Sequence, residues 1–371
     1  MRSTKSIPIS HPVLGGNEKK YVNECLDTTW ISSQGRFIRL FEESFGRFCD
    51  VEHAVACNNG TSALHIALLA LGVAPGDEVI VPTLTYVASA NAVHYCGARP
   101  VLADAEARTM NLDPQKIEER VTGRTKGILA VHLYGHPTDM DPILEIARRR
   151  ELFVLEDAAE AHGALYRGRK VGSLGDAAAF SFFGNKIVTT GEGGMVTTSR
   201  RDVEARARLL RGQGMDLQRR YWFPVVGYNY RMTNVAAAIG LAQMEDIETH
   251  LAAHRRVAGW YERHLGALED VLALPREESW ARHAFWLYTV ELRDSVRLSR
   301  DELMARLAEA GIETRPVFYP MHLMPPYRDA EGSYPVAEAL AARGISLPIH
   351  GLLSEEDVIY IARQFDSLCR A

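Results

Sequence analysis

Several features that would assign this chain to a specialised class of protein are missing from its sequence. It contains five scattered cysteines (Cys25, Cys49, Cys57, Cys96 and Cys369) and no C-x-x-C pair, so neither a disulfide framework nor a cysteine zinc site is expected. No window approaches the roughly 18 uninterrupted apolar residues of a membrane-spanning helix. The N-terminal stretch also lacks the apolar core of a signal peptide. Together these absences predict a soluble cytoplasmic protein with reduced thiols.

The charged residues form no block of one sign. The net charge is -5 over 371 residues, and no Lys/Arg-rich tail is present, so nucleic-acid binding is not expected. A hydrophobic fraction of 47% and a charged fraction of 24% are typical of a globular protein. A chain of this length can form a large domain and a smaller one, each with its own core.

From about residue 50, short apolar runs alternate with helical patterns. The predicted strands cover residues 54–57, 78–82, 100–102, 128–131, 152–155, 177–180 and 195–198. The helices predicted between them cover residues 63–71, 86–95 and 143–149. Near-continuous apolar runs suit strands that are buried on both faces, and the alternation predicts an α/β fold with a parallel sheet covered by helices.

The pattern changes after residue 245. We predict a long helix over about 241–265, and then strand 288–292, helix 300–309, strand 313–317 and a last helix over 354–368. This mixture is typical of a smaller α+β unit. We therefore divide the chain into a large domain, 1–245, and a small C-terminal α+β domain, 246–371.

The first candidate motif lies where a predicted strand ends and an amphipathic helix begins. Gly60 allows the backbone to approach an anion, and the free N–H groups of the first helical turn favour one there. Thr61 and Ser62 add hydroxyl donors. An ordinary helix cap is an equally good explanation of this motif taken alone.

The second motif, Glu156-Asp157-Ala158-Ala159-Glu160, directly follows the strand at 152–155. Ligands of open α/β sheets bind beyond the carboxyl ends of the strands, where Asp157 lies. A carboxylate beside a heterocyclic nitrogen keeps that nitrogen protonated, which makes a pyridoxal ring an electron sink. The alternative is a carboxylate that caps the next helix.

The third motif is Ser181-Phe182-Phe183-Gly184-Asn185-Lys186, followed by a glycine-rich turn. A lysine in a tight apolar turn between two buried strands is unusual, since lysines mostly reach solvent. Burial lowers the pKa of the amine towards the neutral form that a Schiff base requires. A surface lysine in a hairpin loop remains the alternative.

In this order and spacing, the three motifs resemble those of the aspartate-aminotransferase superfamily, fold type I. Within it, the chain resembles the sugar aminotransferases, which aminate keto sugars carried on nucleoside diphosphates. The finer resemblance rests on Asp27–Ser33, Phe183–Lys186, Arg211–Met215, Arg219–Pro224 and Arg315–His322. It covers essentially the whole chain and implies a mainly parallel seven-stranded sheet.

The resemblance implies pyridoxal 5'-phosphate as the cofactor, held as a Schiff base by Lys186 and paired through its ring nitrogen with Asp157. Tyr86 should stack on the ring and Glu160 should lie near the ring hydroxyl, where many relatives have Gln. The implied phosphate ligands are Gly60, Thr61, Ser62 and Ser181, with Asn229 contributed by the neighbouring subunit. The last residue implies a homodimer with shared sites.

The resemblance also implies a set of substrate contacts. It places the segment 1–35 at the mouth of the site, with Trp30 and Ser32 in it. The candidates for the diphosphate and sugar are Arg219, Tyr221, Tyr319 and His322. The guanidinium of Arg219 suits a diphosphate because it donates two hydrogen bonds at once, although a solvated Arg219-Arg220 pair explains it equally well. We interpret Trp222, Phe223, Trp286 and Tyr288 as core or interface aromatics.

The resemblance implies transfer of an amino group from L-glutamate, which leaves as 2-oxoglutarate, to GDP-4-keto-6-deoxy-D-mannose. A UDP- or dTDP-linked 3- or 4-keto sugar is the alternative substrate. A sugar dehydratase of this family would carry His in place of Lys186, and a cofactor-binding regulator would carry an added DNA-binding module.

One further group of residues resembles a metal site. His132 and His136, with Asp139 and Asp141, lack the spacing of H-E-x-x-H, and His132 ends a predicted strand. A hydrogen-bonded strand-end histidine is the better explanation, so no metal is predicted.

Overall fold

The computed structural model describes residues 6–216, 218–329 and 332–370. Residues 1–5 of the predicted site-mouth segment lie outside this range.

The helices are α1 (Glu18–Asp27), α2 (Arg36–Phe48), α3 (Gly60–Ala70), α4 (Ala88–Tyr95), α5 (Met140–Arg150), α6 (Arg201–Arg211), α7 (Asn234–Glu245), α8 (Ile247–Leu265), α9 (Arg300–Glu309), α10 (Pro335–Arg343) and α11 (Glu355–Cys369). The strands of the first half are β1 (His53–Cys57), β2 (Glu78–Pro82), β3 (Arg99–Ala103), β4 (Thr125–Val131), β5 (Phe153–Asp157), β6 (Leu165–Tyr166), β7 (Arg169–Lys170), β8 (Ala177–Ser181) and β9 (Gly194–Thr198). Those of the second half are β10 (Leu272–Ala273), β11 (Ala281–Arg282), β12 (Tyr288–Leu292), β13 (Arg315–Pro316) and β14 (Gly344–Leu347).

The larger sheet has seven strands in the order β1-β9-β8-β5-β4-β2-β3. Strands β8, β5, β4, β2 and β3 pair in parallel, whereas β9 runs antiparallel to both of its neighbours. All five residues of β2 and of β9 are buried, as expected for strands covered on both faces. The predicted mainly parallel seven-stranded sheet is confirmed.

The C-terminal part contains a four-stranded antiparallel sheet in the order β10-β12-β14-β13. Helices α9 and α11 pack against each other beside it, and each begins with a capping box, at Ser299 and at Ser354. Strand β12 and helix α9 match the predicted bounds residue for residue. The division of the chain at residue 245 stays a prediction.

Several predicted elements have ends shifted by up to three residues, and two differences from the prediction have a clear physical reason. The single helix predicted over 241–265 is wrong, because the chain forms α7 and α8 with a break at Asp246. Helix α7 packs on α1 and α2 whereas α8 packs on α11, and one straight rod could not bury both faces. The strand predicted over 313–317 shortens to β13, an edge strand in which Pro316 has no N–H to donate to a ladder.

None of the helices in the described part of the chain combines the length and the apolar character needed to span a lipid bilayer.

Candidate active site

A cavity of about 560 Å³ lies at the carboxyl ends of the central strands. Strand β5 ends at Asp157 and β8 ends at Ser181, and both residues line it. Eight predicted cofactor ligands line the cavity together: Gly60, Thr61, Ser62, Tyr86, Asp157, Glu160, Ser181 and Lys186. They come from four separate segments of the chain, which the parallel sheet brings to one edge.

One end of the cavity is suited to an anion. Helix α3 begins at Gly60, after Asn59, whose side chain accepts a 2.8 Å hydrogen bond from the Ser62 N–H. The first N–H groups of a helix have no partner inside the helix and carry its positive end. A Cβ on Gly60 would lie 2.8 Å from the Ser181 Cβ. Glycine is therefore needed for α3 to approach the end of β8.

Asp157 is held in a buried position by two donors. The Ser89 hydroxyl donates to its Oδ2 at 2.7 Å, and the Ala159 N–H donates to its Oδ1 at 3.2 Å. Burial raises the pKa of the Asp157 carboxyl, and the hydrogen bond from Ser89 opposes the rise most. The carboxylate is thus oriented and able to pair with a cationic group in the cavity.

Lys186 and Glu160 face each other across the floor of the cavity. The Nζ of Lys186 lies 3.6 Å from Oε1 of Glu160, and both side chains are about nine-tenths buried or more. The second oxygen of Glu160 accepts the Tyr134 N–H at 2.8 Å. Burial raises the pKa of Glu160 to about 7 and lowers the pKa of Lys186, so both shifts favour the neutral forms. A neutral amine is the form that attacks a carbonyl carbon.

The remaining predicted site residues do not line this cavity. Asn229, Trp30, Ser32, Arg219, Tyr221 and Tyr319 are exposed. The guanidinium of Arg219 lies 4.2 Å from the ring centre of Trp222. His322 is buried, its Nδ1 is 2.8 Å from the Thr83 hydroxyl and its Nε2 is 3.1 Å from Glu338. Both ring nitrogens of His322 therefore already have protein partners.

The residues that resemble a metal site are engaged in other contacts. The Nε2 of His132 lies 3.0 Å from Glu156, and its Nδ1 accepts the Thr138 N–H at 3.0 Å. Asp139 accepts the Tyr166 hydroxyl, and Asp141 pairs with Arg167. Within the described ranges, no cluster of three or more potential metal ligands occurs. His132 is thus a hydrogen-bonded strand-end histidine.

Sequence reasoning missed several residues of the cavity. Trp286 is buried as expected, but its ring centre lies only 3.5 Å from the Nζ of Lys186. Arg315 and Phe318 also line the cavity, and the Phe318 ring centre lies 5.7 Å from that of Tyr86. The Arg315–His322 motif contained a signal for the last two. No local pattern could have indicated Trp286, because its partner is 100 positions away in the chain.

Comparisons with known proteins agree over nearly the full length. A model described as the DegT/DnrJ/EryC1/StrS aminotransferase family matches residues 12–366. GDP-perosamine synthase of Caulobacter vibrioides is 58% identical over 369 residues, which cover 99% of this chain and 100% of the relative. GDP-perosamine synthase of Escherichia coli O157:H7 is 49% identical over 362 residues, 98% of each chain. The crystal structure of S. venezuelae DesV in complex with a ketimine intermediate matches with a TM-score of 0.90 at 35% identity, covering 96% of this chain and 95% of that one.

Proposed function

Since the chain belongs to the DegT/DnrJ/EryC1/StrS aminotransferase family, we propose that it converts GDP-4-keto-6-deoxy-D-mannose to GDP-perosamine. The amino donor in this proposal is L-glutamate, and the cofactor is pyridoxal 5'-phosphate. The observation that carries the substrate is the 58% identity with a GDP-perosamine synthase, which extends over the full length of both chains. The aligned region spans the segments at the mouth of the cavity as well as its floor.

The residues of the cavity fit the proposed cofactor. The N-terminal turn of α3 suits a phosphate, Asp157 suits a protonated ring nitrogen, and Lys186 suits an aldehyde carbon. The Oδ1 of Asn185 is also buried beside the cavity without a protein hydrogen-bond partner, as expected where a ligand contributes the missing donor. When bound, the pyridoxal ring supplies an electron sink for the carbon that loses a proton.

Lys186 and Glu160 carry the proton chemistry in this proposal. Lys186 holds the cofactor and, once released from it, moves a proton to or from the substrate carbon. Glu160 lies close enough to Lys186 to bias where that proton resides. A carboxyl whose pKa is about 7 changes its charge near neutral pH, which suits a group beside a proton shuttle.

We further propose that a second copy of the chain completes each site. Asn229 and Arg219 are exposed and lie outside the cavity of their own chain. Tyr221, Trp222 and Phe223 beside Arg219 are each at least half exposed, which is costly for a stretch that faces only water. A homodimer would cover these rings and bring the arginine to the diphosphate of a substrate in the partner's cavity.

The substrate is tested by a coupled assay with glutamate and GDP-, UDP- and dTDP-linked 4-keto sugars, with mass spectrometry of each product. We expect a clear preference for GDP-4-keto-6-deoxy-D-mannose and a product carrying an amino group at C4. A preference for a UDP- or dTDP-linked sugar would refute the proposed substrate and leave the aminotransferase assignment standing.

The shared site is tested by mixing inactive Lys186→Ala protein with a strongly impaired Asn229→Ala protein. In a hybrid dimer one site carries both changes and the other carries neither. Activity should therefore rise well above that of either parent after the subunits exchange. Exchange verified by mass without any gain in activity would show that each site belongs to one chain.

A further inference from the structure

The indole of Trp286 makes two contacts with the turn that carries Lys186. Its ring centre lies 3.5 Å from the Nζ of Lys186. Its indole N–H donates a 2.8 Å hydrogen bond to the carbonyl oxygen of Asn185. One side chain therefore contacts both the reactive nitrogen and the backbone beside it. We propose that Trp286 is a positioning residue for Lys186, an inference that rests on the proposed function.

Trp286 is itself held by Tyr134. The backbone N–H of Trp286 donates to the Tyr134 carbonyl at 3.0 Å, and the two rings are nearly parallel with their centres 6.3 Å apart. Tyr134 has a φ of +55°, a left-handed conformation that is unfavourable for an aromatic residue. Such strain persists only where the surrounding structure enforces it, and it concentrates at functional sites.

The same strained residue also fixes the carboxylate opposite the lysine. In its left-handed conformation, Tyr134 directs its N–H to Oε2 of Glu160 and its carbonyl to Trp286. Gly135 follows with a φ of +102°, and a Cβ on it would lie 3.0 Å from the backbone nitrogen of Trp286. The turn at Tyr134 and Gly135 therefore sets the positions of both groups that contact the Nζ of Lys186.

Positioning matters because the bond between Lys186 and the cofactor forms at one atom. With the proposed cofactor bound, the neutral Nζ would attack the aldehyde carbon with its electron pair, and the aldehyde oxygen would leave as water with the two amine hydrogens as the carbon–nitrogen double bond forms. A misplacement of about 1 Å can slow a step of this kind by up to roughly 10². Loss of the Trp286 contacts frees the four-carbon side chain of Lys186 to rotate.

The experiment compares Trp286→Phe with Trp280→Phe in the full-length, cofactor-free protein. Trp280 packs on His136 and Tyr166 and does not line the cavity, so it is the matched control. The rate of pyridoxal phosphate uptake is followed by absorbance, and the affinity for pyridoxamine phosphate by fluorescence. The second ligand has no aldehyde, so it reports the phosphate and ring contacts without the bond to Lys186.

For Trp286→Phe we expect pyridoxal phosphate uptake to slow about tenfold, while pyridoxamine phosphate affinity changes less than about twofold. Trp280→Phe should match the wild type in both. If Trp286→Phe does not fold, Trp286→Tyr replaces it under the same criteria. The inference would be overturned if pyridoxal phosphate uptake slowed less than about threefold. It would also be overturned if pyridoxal phosphate uptake and pyridoxamine phosphate affinity fell by the same factor. A wild-type protein that binds neither ligand would instead contradict the proposed function.

Discussion

Two buried carboxylates four residues apart, Glu156 and Glu160, have opposite environments. Glu156 is fully buried and contacts the His132 ring nitrogen at 3.0 Å. Its oxygens also accept three backbone N–H groups at 2.8–2.9 Å, those of Gly172, Leu174 and Gly175. The two oxygens of this carboxylate are therefore contacted by four groups of the protein, as many as it can accept.

Glu160 is nearly as buried but has fewer partners. One of its oxygens accepts the Tyr134 N–H, and the other lies 3.6 Å from Lys186, beyond a normal hydrogen bond. Burial raises the pKa of Glu160 to about 7. A saturated buried carboxylate stabilises a turn, whereas an under-coordinated one that faces a cavity keeps capacity for a ligand and a proton. Within one motif, the comparison therefore distinguishes Glu156, a carboxylate buried for stability, from Glu160, a carboxylate buried for its chemistry.

The largest effect is expected at Lys186, the amine that faces Glu160. Lys186→Ala removes both the attachment point of the cofactor and the proton shuttle, so turnover should fall by more than the roughly 10⁴ at the upper end for one acid–base group. Steady-state assay with the keto sugar and glutamate measures it. Lys126→Ala, at an exposed lysine of β4, is the control. Near-normal turnover of the Lys186 variant would refute the assignment.

Glu156→Gln tests the structural side of the comparison. An amide cannot accept four donors as the carboxylate does, and a buried donor left without a partner costs about 1–3 kcal/mol. We expect the free energy of unfolding to fall by about 3 kcal/mol, with turnover per folded molecule within about twofold of wild type. Urea denaturation and an active-site titration measure the two quantities. If turnover fell while the free energy of unfolding did not, Glu156 would have a chemical role and not a structural one.

Asp157→Asn preserves the shape of the side chain but removes the charge proposed to pair with the ring nitrogen. Turnover should fall by roughly 10², the scale of losing one preorganised electrostatic group. Pyridoxamine phosphate affinity should fall less, because the phosphate contacts remain. Turnover within a few-fold of wild type would make Asp157 a structural residue like Glu156.

The smallest effect is a pH dependence of the cofactor-free protein. Folding raises the pKa of Glu160 from 4.5 to about 7, so the folded state binds this proton more tightly than the unfolded state does. The resulting stability is fully present below about pH 4.5 and is lost as the pH rises towards about 7. Glu160→Gln cannot titrate, so it should show a weaker decline over this window in urea denaturation at a series of pH values. An unchanged decline would show that another group causes it.

Periodicity and motif order were sufficient for the large sheet. The seven strands, the mainly parallel arrangement and fold type I were predicted from apolar runs and from the resemblance, and they are confirmed. These features follow from local patterns because a buried strand must be apolar along its length. The resemblance implied that Gly60, Asp157 and Lys186 meet in one site, and they line one cavity because parallel strands bring their carboxyl ends to one edge.

Tertiary packing alone decided the rest. The break at Asp246 depends on which neighbours cover α7 and α8, because the Asp246 side chain makes no capping hydrogen bond that would fix the start of α8 locally. Likewise, the sequence around Trp286 resembles that of any buried strand. Only the folded chain brings its ring to Lys186, and only the left-handed turn at Tyr134 fixes both Trp286 and Glu160 around that lysine. Contacts between distant segments depend on the summed packing of the intervening chain, which no short window of sequence contains.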